Sequence, residues 1–169
     1  MSRQDFDFRR FRRYYFPHVE TLQNVLFVAP VLLFSVIAHE YAHGYAALRQ
    51  GDSTALAMGR LTWNPLKHID PVLTIMMPLL MGFASGWRVM LGGAKPVPVN
   101  PANYRNLRRG DIIVSLAGVA TNGVIAIVAT VFIALLGLVG RAAPITHETV
   151  AILQVLMIYA ILINLGLIA

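Results

Sequence analysis

VLFVAPVLLFSVIAHEYAHGYAALRQ, residues 25–50, opens with fourteen positions free of charge and then places two histidines and a glutamate in the order His39-Glu40-Tyr41-Ala42-His43. The run has no glycine before Gly44, and its length suits a helix rather than a strand. On a helix, residues four apart share a face, so the imidazoles of His39 and His43 can grip one metal ion. Glu40 then projects beside that ion, where it can act as the base that deprotonates an attacking water. Ionisable groups are costly at membrane depth and are there for function. The stretch therefore predicts one Zn2+ per chain, held by His39 and His43 with Glu40 catalytic, on a helix that crosses a bilayer.

Composition agrees with a membrane setting. Of 169 residues, 57% are hydrophobic and 13% charged, about half the charged content of soluble domains, and the mean hydropathy is +0.63. The fold class expected is an all-α polytopic membrane protein with about four membrane segments, integral to a cell membrane. The net charge is +6, but the basic residues are not arranged as a nucleic-acid footprint, and no nucleic-acid partner is expected. Arg3, Arg9, Arg10, Arg12 and Arg13 crowd the N-terminus among Phe6, Phe8, Phe11, Tyr14, Tyr15 and Phe16. That mixture suits the headgroup region of a lipid bilayer. Residues 1–20 read as a basic, aromatic tail and 21–169 as one membrane domain. The apolar run carries the zinc motif and lacks a small-residue cleavage site, so it is read as retained rather than as a signal peptide. With no cysteine there is neither a disulfide framework nor a thiolate metal site.

Outward from the motif, residues 21–50 predict a single long helix with a kink at Pro30, ended by Gly51-Asp52. Residues 53–63 roughly alternate small or polar with apolar side chains around Gly59, which predicts a short β-like hairpin or irregular loop at the membrane face. Residues 71–91 are apolar but interrupted by Pro78, Gly82 and Gly86, so they either cross fully or re-enter. Residues 92–109 are a proline-rich loop. Asp111 after Gly110 reads as the cap of a long apolar helix over 111–139. Another membrane helix starts at Glu148 and is still apolar at Ala169.

A catalytic zinc normally takes three protein ligands. Beyond the motif, the candidates are His68, Asp70, Asp52, Asp111, His18, His147 and Glu148. His68 and Asp70 are nearest in character, in a loop able to fold back. Asp70 before Pro71 is equally a helix cap, and His68 could equally orient substrate. Asn122, a lone amide in an apolar helix, reads either as an interhelical hydrogen-bonding group or as one that faces the zinc and holds the substrate.

Three blocks in order, HEYAHGYAALRQGDSTALAMGRLTWNPLKHIDP, GGAKPVPVNPANYRN and RRGDIIVSLAGVATN, resemble the bacterial and archaeal site-2 protease family of intramembrane zinc metalloproteases. The likeness covers about residues 30–122, and the closing helix is also family-like. It implies zinc at His39 and His43, with Glu40 activating water to cleave transmembrane protein substrates. Two departures stand out. The family's Gly-Pro-x-x-Asn reads Gly118-Val119-Ala120-Thr121-Asn122 here. Its third ligand, an aspartate in a Leu-Asp-Gly segment, is expected beyond Ala169.

Two function classes follow. In the first, Glu40 shuttles a proton during hydrolysis of a substrate helix that has unwound locally. The second is an inactive relative that binds metal or partner helices without proteolysis. The basic residues weigh only weakly on orientation. A full crossing of 71–91 divides them ten against four, with the N-terminus inside, and a re-entrant segment eight against six, with the N-terminus outside.

Overall fold

The computed structural model describes residues 22–86, 92–142 and 147–168. The N-terminal tail, including His18, lies outside the described residues. Three helices pack mutually: α1 (Leu22–Gln50), α4 (Leu107–Ala142) and α5 (His147–Gly166). Between α1 and α4 run a one-turn helix α2 (Thr54–Ala57), a 3-10 turn at Pro65–Lys67, a π-helical turn at Pro71–Met76 leading into α3 (Met77–Ser85), and a 3-10 turn at Pro101–Asn103. The described residues contain no strand.

Small apolar residues share the interior with several polar side chains, and many large apolar side chains face outward. The largest fully buried side chains are His68, Asn122, Asn164, Asp52 and Ser35, whereas Phe34, Leu116, Ile127, Phe132 and Leu138 are exposed. Such a distribution suits a chain whose surroundings are lipid. Close helix approach comes from small residues at the seam: Ala38 and Ala47 on α1, Ala126 and Ala129 on α4, Ala160 on α5. All three long helices are apolar enough to span a membrane. With 29, 36 and 20 residues, they measure about 44, 54 and 30 Å, against a hydrocarbon core of roughly 30 Å.

The fourth segment does not match them. Pro71–Ser85 is a shorter apolar stretch, about 22 Å long. It ends where Gly86 takes a left-handed φ of 64°. The chain then returns to its own start. Gly93 N–H donates to Leu73 O at 2.9 Å, Thr74 Oγ1 donates to Gly93 O at 2.7 Å, and Gly92 packs on Pro78. Entry and exit therefore lie together, the arrangement of a re-entrant segment rather than a full crossing.

The β-like hairpin expected at 53–63 is replaced by α2. The Asp52 carboxylate accepts from Thr54 N–H and Thr54 Oγ1, which starts a helical turn, and Arg60 N–H closes it on Ala55 O at 2.9 Å. Local capping thus overrides the weak alternation. Trp63 then lies back along α1, stacked on Phe34 (centroids 6.0 Å) and on Tyr41 (5.0 Å). The start of α4 also differs from expectation. Asn106, not Asp111, caps it, accepting from Arg109 N–H at 2.9 Å. Gly110 lies inside the helix because a Cβ there would come within 2.7–2.9 Å of Tyr104.

Asp52 ties the end of α1 to the stretch before α4. Beyond Thr54, its carboxylate accepts from Asn100 N–H at 2.7 Å and Asn103 Nδ2 at 2.8 Å. Burial alone would raise its pKa. The hydrogen bonds from Asn100, Thr54 and Asn103 outweigh that and hold it at about 2, below the ordinary 3.8. A depressed folded-state pKa means that its stabilisation is complete above pH 3.8 and is lost as pH falls through about 2. Asp52→Ala should cost about 1.5–3 kcal/mol, because it removes a buried carboxylate that accepts from three residues at once. Asp52→Asn should flatten the loss of stability on acidification across that window, as followed by thermal melts in detergent.

Candidate metal centre

The imidazoles of His39 and His43 converge as their spacing on α1 requires. Their Nε2 atoms lie 3.0 Å apart, with ring centroids at 4.6 Å and planes at 73°. A tetrahedral zinc bound by two imidazoles holds the nitrogens about 3.3 Å apart, so a few tenths of an ångström of opening would admit it. His43 is set for this. Its Nδ1 lies 2.6 Å from Val114 O, and since a carbonyl only accepts, Nδ1 carries the proton and Nε2 presents its lone pair.

His39 is held by Asn122, whose Nδ2 donates to His39 Nδ1 at 3.0 Å. In that tautomer the His39 proton sits on Nε2 and points at His43. Asn122 is fully buried, and its Oδ1 has no partner. Rotating the amide by half a turn sets Oδ1 on a protonated His39 Nδ1, satisfies the orphaned oxygen, and frees both Nε2 lone pairs for a metal. The arrangement then offers two of the ligands that a zinc ion needs.

Gly118 makes the room. A Cβ there would lie 2.5 Å from His39 Cε1, His39 Nε2 and His43 Nε2. Any side chain at this position would fill the gap between the imidazoles. Val114, Gly118 and Asn122 form one buried stripe of α4 at four-residue spacing. That explains the interval between Gly118 and Asn122 without requiring the proline that Val119 replaces.

Glu40 follows His39 on α1, and its Oε2 accepts from Val97 N–H at 2.7 Å. Val97 lies in the irregular stretch 93–100. No sequence signal marked it, because a backbone donor leaves no side-chain signature.

Among the described side chains, His68, Asp70, Asp52, Asp111 and Glu148 are not gathered with the imidazoles, and the His147 side chain, like His18, lies outside the described residues. His68 is fully buried in its own loop, its Nε2 2.8 Å from Thr62 O. Asp70 Oδ1 accepts from Val72 N–H and Leu73 N–H, both at 2.9 Å, and those bonds, chiefly the one from Leu73, lower its pKa. Its place is the helix cap. Asp52 is consumed by its own network, and Asp111 and Glu148 are exposed on their helices. Among the described residues no group of three His, Asp or Glu side chains converges. Asp70→Asn should lower the melting temperature by roughly 2–4 °C, the usual scale for a lost cap in a chain of this size, and leave zinc content unchanged. Loss of zinc on elemental analysis would return Asp70 to the site.

Two curated proteins resemble the chain, both named "Putative zinc metalloprotease". YwhC of Bacillus subtilis is 42% identical over 97 residues, which is 57% of this chain and 40% of YwhC. Rip2 of Mycolicibacterium smegmatis is 35% identical over 137 residues, 79% of this chain and 49% of Rip2. The matched part thus spans less than half the length of either relative. No family model and no solved structure matches. The resemblance drawn from the motifs is borne out by these homologues.

Proposed function

We propose that this chain, a homologue of zinc metalloproteases, is the zinc-binding core of an intramembrane protease of the site-2 type, acting on transmembrane segments of other membrane proteins. The observation that carries the proposal is the pair of Nε2 atoms 3.0 Å apart over Gly118, on a helix apolar enough to span a membrane. His39 and His43 would hold zinc through Nε2. Bound there, zinc would polarise a scissile carbonyl and acidify the attacking water. Val114 O would fix the tautomer and ring plane of His43, and Asn122, with its amide turned, those of His39. Glu40 accepts the proton of the attacking water and returns it to the leaving amine.

The substrate's own backbone sets a further requirement. A helix shields its amides by its internal hydrogen bonds, so it must unwind locally before attack, and glycine or proline near the scissile bond favours cleavage. The loop carrying Trp63 and the irregular stretch 93–100 both flank α1 near the motif, and the unwound segment is proposed to lie against them.

The test is cleavage of transmembrane peptides by the full-length protein in liposomes. A peptide with a central Asn-Gly or Pro should be cut, and an uninterrupted poly-Leu helix should not. Chelation should stop cleavage and added zinc restore it. Cleavage that survives chelation, or zinc-loaded protein that cuts neither peptide, would overturn the proposal.

A further inference from the structure

Arg60 is a buried cation, 8% exposed, with no carboxylate partner among the described residues. Its Nη2 donates to Lys95 O at 2.8 Å and to Pro96 O at 3.4 Å. The Pro96 carbonyl belongs to the same peptide group as Val97 N–H, which donates to Glu40 Oε2 at 2.7 Å. One peptide group therefore accepts from a guanidinium at one end and donates to the glutamate at the other. We infer that Arg60 is a positioning residue for Glu40, acting through the Pro96–Val97 peptide.

The sequence around Val97 makes this contact specific. Pro96 and Pro98 have no N–H, so Val97 supplies the single backbone donor of that tripeptide. Their rings also limit the torsions available on either side. Val97 is itself buried, and its Cγ1 occupies the space that a Cβ on Gly44 would need, at 2.8 Å. Gly44 follows His43, so the packing sets the depth of this stretch against α1. Two more bonds hold the stretch upstream and downstream: Lys95 N–H to His68 O at 2.8 Å, and Asn100 N–H to Asp52 Oδ2 at 2.7 Å.

The consequence is orientation. With Oε2 held by Val97, Glu40 keeps one side-chain rotamer and offers Oε1 to the reacting water. The positive end at Arg60 polarises the intervening peptide and strengthens its N–H as a donor. A misplacement of about 1 Å in a reacting group costs on the order of 100-fold in rate, so a brace on the base acts on turnover more than on substrate affinity. The inference rests on the reading of Glu40 as the base.

Two measurements on the full-length protein test it. The first is structural and needs no turnover. Labelling with 13C-carbonyl proline and 15N-valine selects Pro–Val pairs, and residues 1–169 contain four: Pro30–Val31, Pro71–Val72, Pro96–Val97 and Pro98–Val99. The Val97 amide proton should resonate downfield of the other three and move upfield in Glu40→Gln and in Arg60→Met. The second measurement is kinetic. Arg60→Met should lower kcat roughly 10- to 50-fold, with KM changed less than about threefold and zinc content at the wild-type level. Arg60→Lys, which restores a cation, should recover part of the loss. An unmoved Val97 signal in Arg60→Met, or a KM effect larger than the kcat effect, would overturn this inference with the reading of Glu40 intact. Absence of cleavage by zinc-loaded wild-type protein would instead overturn that underlying reading.

Discussion

Replacing Glu40 by glutamine should leave zinc content at the wild-type level and reduce cleavage of a transmembrane peptide by at least about 1,000-fold. Glutamine preserves the shape of the side chain and still offers an oxygen to Val97 N–H, so the local structure has no reason to change. What disappears is the capacity to take up a proton. General acid–base groups contribute typically 10²–10⁴-fold, and here one group serves both the attack and the departure of the amine. Elemental analysis and single-turnover cleavage together decide the matter. Wild-type turnover in Glu40→Gln would remove Glu40 from the chemistry. Loss of zinc would recast it as a ligand.

Gly118→Ala should have an effect as large for a different reason. The added methyl would fall 2.5 Å from both Nε2 atoms, in the gap where the proposed metal would bind. These nitrogens belong to rings anchored at Nδ1 by Val114 O and Asn122, so neither imidazole can give way without losing its own partner. We expect zinc content to fall below a tenth of wild type while helix content by circular dichroism is retained. His39→Ala and His43→Ala should match it in zinc loss, which makes them the reference. Full zinc occupancy in Gly118→Ala would mean that the metal is held away from this gap.

The sequence carried the long helices and the two imidazoles plainly, because both depend on patterns that survive reading in one dimension. A charge-free run marks a membrane helix, and a four-residue interval puts His39 and His43 on one face. What surrounds the imidazoles was less legible. Val114 contributes a carbonyl and Val97 an amide, and neither is announced by residue type. Gly118 contributes an absence, visible only once α4 is laid against α1. Asp52 shows the reverse case. Its carboxylate made it a ligand candidate, but contacts with Asn100 and Asn103, some fifty residues away, account for its lone pairs. Of the two readings of residues 53–63, the β-like hairpin gave way to a helical turn begun by the bonds from Thr54 to Asp52, and the irregular loop holds beyond Ala57.

The buried polar groups have a further consequence for how the protein is made. α1 carries Ser35, His39, Glu40 and His43, and three of the partners that satisfy them, Val114, Asn122 and Asn164, lie on helices synthesised later. A charged residue at the centre of a membrane helix opposes insertion by roughly 2.5–3.5 kcal/mol. Between Gln50, where α1 ends, and Leu107, where α4 begins, lie 56 residues, which a ribosome adds in roughly 3–11 s. During that interval α1 has its polar groups unmatched and is the least committed of the three long helices to the bilayer interior. Substitutions on α4 such as Asn122→Leu therefore act first on the yield of inserted protein, through the fate of α1 at the translocon, before they act on anything the finished protein does.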